Sequence, residues 1–326
     1  MAQARYEEAA AAYVAMQEAA HAAGDMEALA RAWEGLSVVR DRQGNHRIAL
    51  ECAERAEEIA REAGAQVELA RVLCRKGQSF FRLGDGEAAL AVAEQALELS
   101  TVLGARTEMA RSLGLLGSIH NQLGHLQAAF DYSKRALDLY RELGDRSRVA
   151  TGLNNLGEAA RSCGDYEQAI AYYSEARAID REIGERDGEL YVLSNLGGAR
   201  VGLGDYQTAE AELRQFLATA ESSGWVGLAE TYSFLAEACL GQGKLAEALA
   251  AAQKALSIIA GHEEPALSSP AWRAMGMAAA QARGPVPVGD RTYDAPACFS
   301  EGLRIAGQAR MESERARTLR EWARYE

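Results

Sequence analysis

The stretch ATGLNNLGEAARSCGDYEQAIAYYSEARAIDREIG, residues 150–184, decides the reading of this chain. Its first half carries Leu153 and, one turn later, Gly157, a leucine that fills a core and a small residue that lets a second helix approach closely. Gly164 then interrupts the pattern, and Asp165 with Gln168 has the form of a capping box that opens a new helix. In the second half Ala169, Tyr173 and Ala176 recur at the spacing of a single helical stripe. The segment therefore predicts two helices joined by a tight turn.

The same pattern extends in both directions. Gly44, Gly84, Gly124, Gly164 and Gly204 lie 40 residues apart, and Gly24, Gly64, Gly104, Gly144, Gly184 and Gly224 form a second series with that spacing, offset by 20. Between successive glycines there is room for a helix of about 16–18 residues, so the unit is a helical hairpin repeated every 40 residues. Leu73, Leu113, Leu153 and Leu193 are each followed four residues later by Gly77, Gly117, Gly157 and Gly197. All five prolines, Pro265 to Pro296, fall after residue 264, which leaves the preceding chain open to continuous helix.

The sixth unit drifts, with Ala236 in the glycine slot, and GQGKLAEALAAAQKAL (241–256) restores the pattern. Residues 262–310 resemble a degenerate seventh hairpin, with Trp272 and Gly276 in repeat positions and GPVPVGDRT (284–292) inserted in its turn. The helix expected over MESERARTLREWARYE (311–326) is amphipathic through Ala316, Leu319, Trp322 and Ala323 and reads as a C-terminal cap. Residues 1–24 read as the N-terminal cap and 25–261 as six regular repeats.

These residues resemble the tetratricopeptide repeat (TPR) family, most closely at Leu153, Gly157, Gly164, Asp165, Tyr166, Ala169, Tyr173 and Ala176. The 40-residue length is similar to the repeats of kinesin light chain and to sensor regions of bacterial signal-transduction ATPases, cyclases and transcriptional activators. The resemblance implies an all-α fold: a right-handed α-solenoid of about seven antiparallel helix pairs with capping helices at both ends. It also implies a protein- or peptide-binding scaffold whose first helices line a concave groove.

Composition narrows the chemistry. With 35 basic and 47 acidic residues the net charge is −12, which opposes nucleic-acid binding unless one face is locally basic. Cys52, Cys74, Cys163, Cys239 and Cys298 are odd in number and widely spaced, which reads as reduced thiols in a cytoplasmic protein. Glu7, Glu8 and Glu18 break any signal-peptide core, and no run approaches the length of about 18 apolar residues that a membrane span requires. GQGK (241–244) lacks the Ser or Thr of a phosphate loop, because Leu245 stands there. His262-Glu263-Glu264 has Ala266 where a zinc protease needs its second histidine, and His120 and His125 flank a turn. No catalytic constellation, metal site or cofactor is expected.

The candidate site is therefore the face of the first helices. Asn154 and Asn155 in LNNLG and Ser194 and Asn195 in LSNLG look outward there, and Asn121, Arg161 and Tyr191 share the face by spacing. Amides both donate and accept, so Asn155 and Asn195 suit the backbone of an extended peptide. This resembles the asparagine ladder of peptide-binding TPR proteins. Toward the N-terminus the face turns basic with Arg31, Arg42, Arg71, Arg75, Arg82 and Arg111, which points to an acidic peptide, although Glu68 and Glu108 stand three residues before Arg71 and Arg111 and could pair with them. The alternatives are a scaffold working through its convex face, including a homodimer, and a small-molecule or catalytic site in the irregular 262–310 region.

Overall fold

The computed structural model describes residues 2–220, 228–260 and 268–325. Gly224 of the second glycine series and the His262-Glu263-Glu264 segment lie outside the described residues. The chain is all-α apart from one short hairpin, and it divides into two compact units, Met1–Ile119 with Asp131–Gly144, and His120–Phe130 with Asp145–Glu326.

The first unit holds α1 (Ala2–Ala23), α2 (Met26–Arg42), α3 (His46–Glu62), α4 (Gln66–Arg82), α5 (Gly86–Val102), most of α6 (Arg106–Gln122) and the end of α7 (Leu126–Glu142). Helices α2 with α3 and α4 with α5 form hairpins, and α1 packs along α2, where the Tyr13 ring fills the space left by Gly35.

The second unit holds the α6–α7 turn, then α8 (Arg146–Cys163), α9 (Tyr166–Ile183), α10 (Arg186–Leu203), α11 (Tyr206–Ala220), α12 (Leu228–Gly241), α13 (Leu245–Ile259) and α14 (Ser268–Ala282). It ends with β1 (Val286–Val288), β2 (Arg291–Tyr293), α15 (Ala295–Gln308) and α16 (Glu312–Tyr325). The pairs α8/α9, α10/α11, α12/α13 and α14/α15 are hairpins, and first helices also meet across repeats, α8 with α10, α10 with α12 and α12 with α14.

The turns follow the glycine spacing. The ten turn glycines from Gly24 to Gly204 take φ between 64° and 87°, a left-handed conformation that side chains disfavour, and in the drifting sixth repeat Gly243 does the same at 74°. At four of these turns an Asp follows the glycine and its carboxylate caps the next helix: Asp165 accepts from the Gln168 amide at 3.1 Å, and Asp25, Asp85 and Asp145 act alike.

The small residue on each first helix is a contact surface for the second helix. A Cβ on Gly157 would stand 2.5 Å from the buried Tyr173 ring. The seventh hairpin keeps this lock, since a Cβ on Gly276 would meet the Phe299 ring at 2.8 Å. The insertion in its turn is a two-stranded antiparallel hairpin, Val286 opposite Tyr293 and Val288 opposite Arg291. It is pinned by Val286, buried on the α14 side, by the Tyr293 edge on Trp272 at 5.1 Å, and by Gln253 donating to the Pro287 carbonyl at 2.9 Å.

Candidate functional site

Adjacent first helices meet in a fixed register, in which a residue faces the one about 37 positions further on. In the first unit Arg31 reaches Glu68 at 3.2 Å and Arg71 reaches Glu108 at 3.1 Å. Arg111 lies 3.5 Å from Glu108 on its own helix, and Arg75 contacts Gln78 at 2.7 Å and Glu34 at 3.7 Å. Arg82 stands close enough to Asp41 to help hold its carboxyl low against the opposing effect of burial, together with the His46 hydrogen bond at 2.7 Å. The predicted basic stripe is thus interleaved with acids, and for Arg71 the partner comes from the next repeat, not from Glu68 on its own helix.

In the second unit the same register joins amides and hydroxyls. Asn195, buried on α10, donates to Asn154 Oδ1 at 3.0 Å and to Glu158 Oε1 at 3.2 Å, and Asn154 donates to Glu158 at 3.1 Å. Ser194 and the Thr231 hydroxyl of α12 are 2.6 Å apart in the interior. The structure therefore brings Asn154 and Asn195 together in one network, with Asn155 half-buried beside them and Tyr191 42% exposed. Asn121 lies at the end of α6, its side-chain Oδ1 buried without a hydrogen-bond partner.

Arg161, one turn beyond Glu158, sits with its guanidinium 5.5 Å from the Phe234 ring centroid. Burial works to lower its pKa, but Tyr173, Glu230 and Glu158 around it raise it overall, so it is a fixed cation. The same neighbourhood carries a feature that spacing alone did not reveal. Arg273 on α14 is fully buried and donates to Glu237 of α12 at 2.6 Å and to Glu314 of α16. Burial raises the Glu237 pKa, yet Arg273, Arg317 and Arg161 hold it below the usual carboxylate range. Glu237 is therefore charged and enclosed by cations from α8, α14 and α16.

The terminal helix runs back along this region. Ser313 donates to the Asn121 carbonyl at 2.6 Å and Gln122 to the Ala309 carbonyl at 3.1 Å, 192 and 187 residues apart in sequence. Arg317 is 3.8 Å from Glu237, Arg320 bonds the Tyr166 hydroxyl, and Trp322 stacks on Phe299 at 5.7 Å. Its buried positions are Glu314, Thr318 and Glu321. Of the apolar row expected to seat it, Ala316, Leu319 and Ala323 face solvent and only Trp322 turns inward, because the surface it meets is mostly charged.

Little here favours covalent chemistry. Burial pushes the Cys298 thiol up to about 12, with Asp294 adding to it, and Cys52, Cys163 and Cys239 are also raised by burial. Glu210, Cys239 and Glu247 converge within 4.8 Å, but Lys244 at 2.6 Å and Arg214 at 2.9 Å already hold Glu210, and Arg214 also pairs with Glu247. Lys244 of the GQGK turn is thus half of an ion pair. His120 and His125 meet across their turn, Nδ1 to Nδ1, at 3.2 Å. Among the described residues no helix is long and apolar enough to cross a membrane.

No curated protein sequence matches the chain significantly. Among solved structures it is similar to a Rap protein complexed with competence and sporulation factor, at 17% identity and a TM-score of 0.63, covering 92% of this chain and 77% of that one. It is also similar to BtubC (BKLC) from P. vanneervenii, at 25% identity and a TM-score of 0.52 over 67% of this chain and 91% of the other. A STAND protein with a tetratricopeptide repeat sensor from Pyrococcus horikoshii matches at 15% identity and a TM-score of 0.53, over 88% and 43% of the two chains. These are likenesses of fold. Tetratricopeptide repeat family models match residues 68–142, 148–222 and 195–263, more than half of the sequence and the part that holds the amide network, and the chain belongs to the tetratricopeptide repeat family.

Proposed function

We propose that this protein is a non-enzymatic scaffold that binds a protein or peptide segment on the face of its first helices, as the sensing or partner-binding module of a bacterial, cytoplasmic regulatory system. The observation that carries the reading is the line of amides on α8 and α10. Asn154 and Asn155 are half-buried with Asn195 buried behind them on Asn154 and Glu158, and amides can exchange their mutual bonds for those of a bound backbone. The Rap protein complexed with competence and sporulation factor supports the same assignment for this architecture. The pairing of Arg31, Arg71, Arg75 and Arg111 with Glu68, Glu108 and Glu34 leaves less free cationic charge, so the reading rests on the amides and not on an acidic ligand.

The test is quantitative capture from native lysate with the full chain and with an Asn154→Ala, Asn155→Ala, Asn195→Ala variant of unchanged helicity. A protein retained by the wild type and depleted by at least about tenfold on the variant is expected, equivalent to about 1.4 kcal/mol. Equal recovery on both would remove the site from this face.

A further inference from the structure

Units of a helical repeat array ordinarily touch only their neighbours. Helix α16 departs from this: its fourteen residues meet the α6–α7 turn through Ser313 and Glu312, α9 through Arg320 at Tyr166, α12 through Arg317 at Glu237, α14 through Glu314 at Arg273, and α15 through Trp322 at Phe299. A helix that only closed a hydrophobic edge would turn its apolar row inward. Here Leu319 is 50% exposed while Glu314 and Glu321 are 7% and 8% exposed.

That arrangement is specific without being strongly held. Attraction between buried charges is largely offset by the desolvation of both partners, so such contacts select a geometry more than they add stability. A helix shorter than about 12–15 residues is also marginal once undocked. The seat therefore recognises an order of charges and holds its occupant by contacts that a competitor can replace.

We propose that α16 is a resident, exchangeable ligand of the first-helix face of the second unit, and that the partner this face accepts is an amphipathic helix with the same order of charges. That order is an acid, a cation one turn on and a second acid one turn beyond, as in Glu314, Arg317 and Glu321. The proposal rests on the reading of this face as a protein-binding surface, and it specifies a helical segment where α8, α12 and α14 converge. Glu237 would receive the cation and Arg273 the first acid, as they now receive Arg317 and Glu314.

The probe is a fluorescein-labelled peptide of residues 311–326, titrated with the full chain and followed by anisotropy. The wild type holds its own α16 at high effective concentration and excludes the probe, whereas an Arg317→Ala, Trp322→Ala variant loosens only the occupant. The variant is expected to bind the peptide at least about tenfold more tightly than the wild type. A peptide carrying Glu314→Lys and Glu321→Lys should bind the variant at least about tenfold more weakly than the native one. Equal affinity for wild type and variant, or for native and charge-reversed peptide, overturns the proposal. Should the variant lose helicity, hydrogen exchange on the wild type decides: excess native peptide should deprotect the α16 amides while α12 stays protected, and unchanged α16 protection overturns it. The capture experiment with the asparagine variant uses neither α16 nor this peptide, so failure of one result is separable from failure of the other.

Discussion

Asp180, near the end of α9, is an acid where water hardly reaches it, 3% exposed, with its carboxyl against the Cα of Gly188. Burial, with Glu185 and Glu189 nearby, raises its pKa from 3.8 to about 6. The folded chain therefore keeps a proton that the unfolded chain releases near the ordinary value. Between those two values the native state binds more protons, so this group's contribution to stability falls as pH rises, by about 1.4 kcal/mol for each tenfold difference in proton affinity between the two states. Asn resembles the protonated acid, and Asp180→Asn should match the wild type near pH 4 and exceed it at pH 7.5 by on the order of 2 kcal/mol. Urea unfolding midpoints of both proteins at the two pH values check this. An advantage of the variant that does not grow with pH would show that Asp180 has the same proton affinity in the folded chain as in the unfolded one.

At the scale of elements, the β1–β2 hairpin stands out as an insertion with a packing role. Val286 is 2% exposed under it, whereas Pro287 and Asp290 face solvent. Val286→Ala removes two methyl groups from a filled site and should cost about 1.5–3 kcal/mol, while Asp290→Ala should stay within about 0.5 kcal/mol of the wild type. Chemical denaturation of the two variants measures both, and a neutral Val286→Ala would mean the hairpin lifts from α14 in solution. Helices and turns were legible in the sequence because the signal is local: a glycine at the regular repeat turns, an Asp cap after several of them, and a Leu-to-Gly step on four of the first helices. Two features were not legible for the opposite reason. The strands lie in an insertion with no repeat to compare, and the seating of α16 depends on Arg273 and Glu237, which its own periodicity does not contain. The amphipathic pattern of MESERARTLREWARYE correctly indicates a helix, but of its apolar row only Trp322 is seated, because the rest of the opposing surface is ionic. For the candidate site, spacing put Asn155 and Asn195 outward one repeat apart, whereas Asn195 is buried and donates to Asn154 and Glu158, and the acids that answer Arg31 and Arg71 emerge only when residues are compared about one repeat apart.

For the whole molecule, the consequence lies in how opening spreads along the array. Where each repeat touches only its neighbours, stability is a sum of repeat and interface contributions, and protection against hydrogen exchange declines from the middle toward a free end. The second unit departs from that chain-like logic, since Ser313 and Gln122 tie the start of α16 and the end of α15 to the α6–α7 turn across more than half of the sequence. Opening α14 and α15 there must also break contacts to α12 and to that turn, which couples the helices between them. In the first unit the main contacts run between successive and next-nearest helices. Native-state exchange should therefore give α8 to α15 a shared opening free energy, within about 1 kcal/mol of one another, while α1 to α5 show a gradient that is lowest at α1. A gradient of equal steepness across α8 to α15 would show that the ties made by α16 are open in solution for most of the time, and that the second unit behaves as an ordinary linear array.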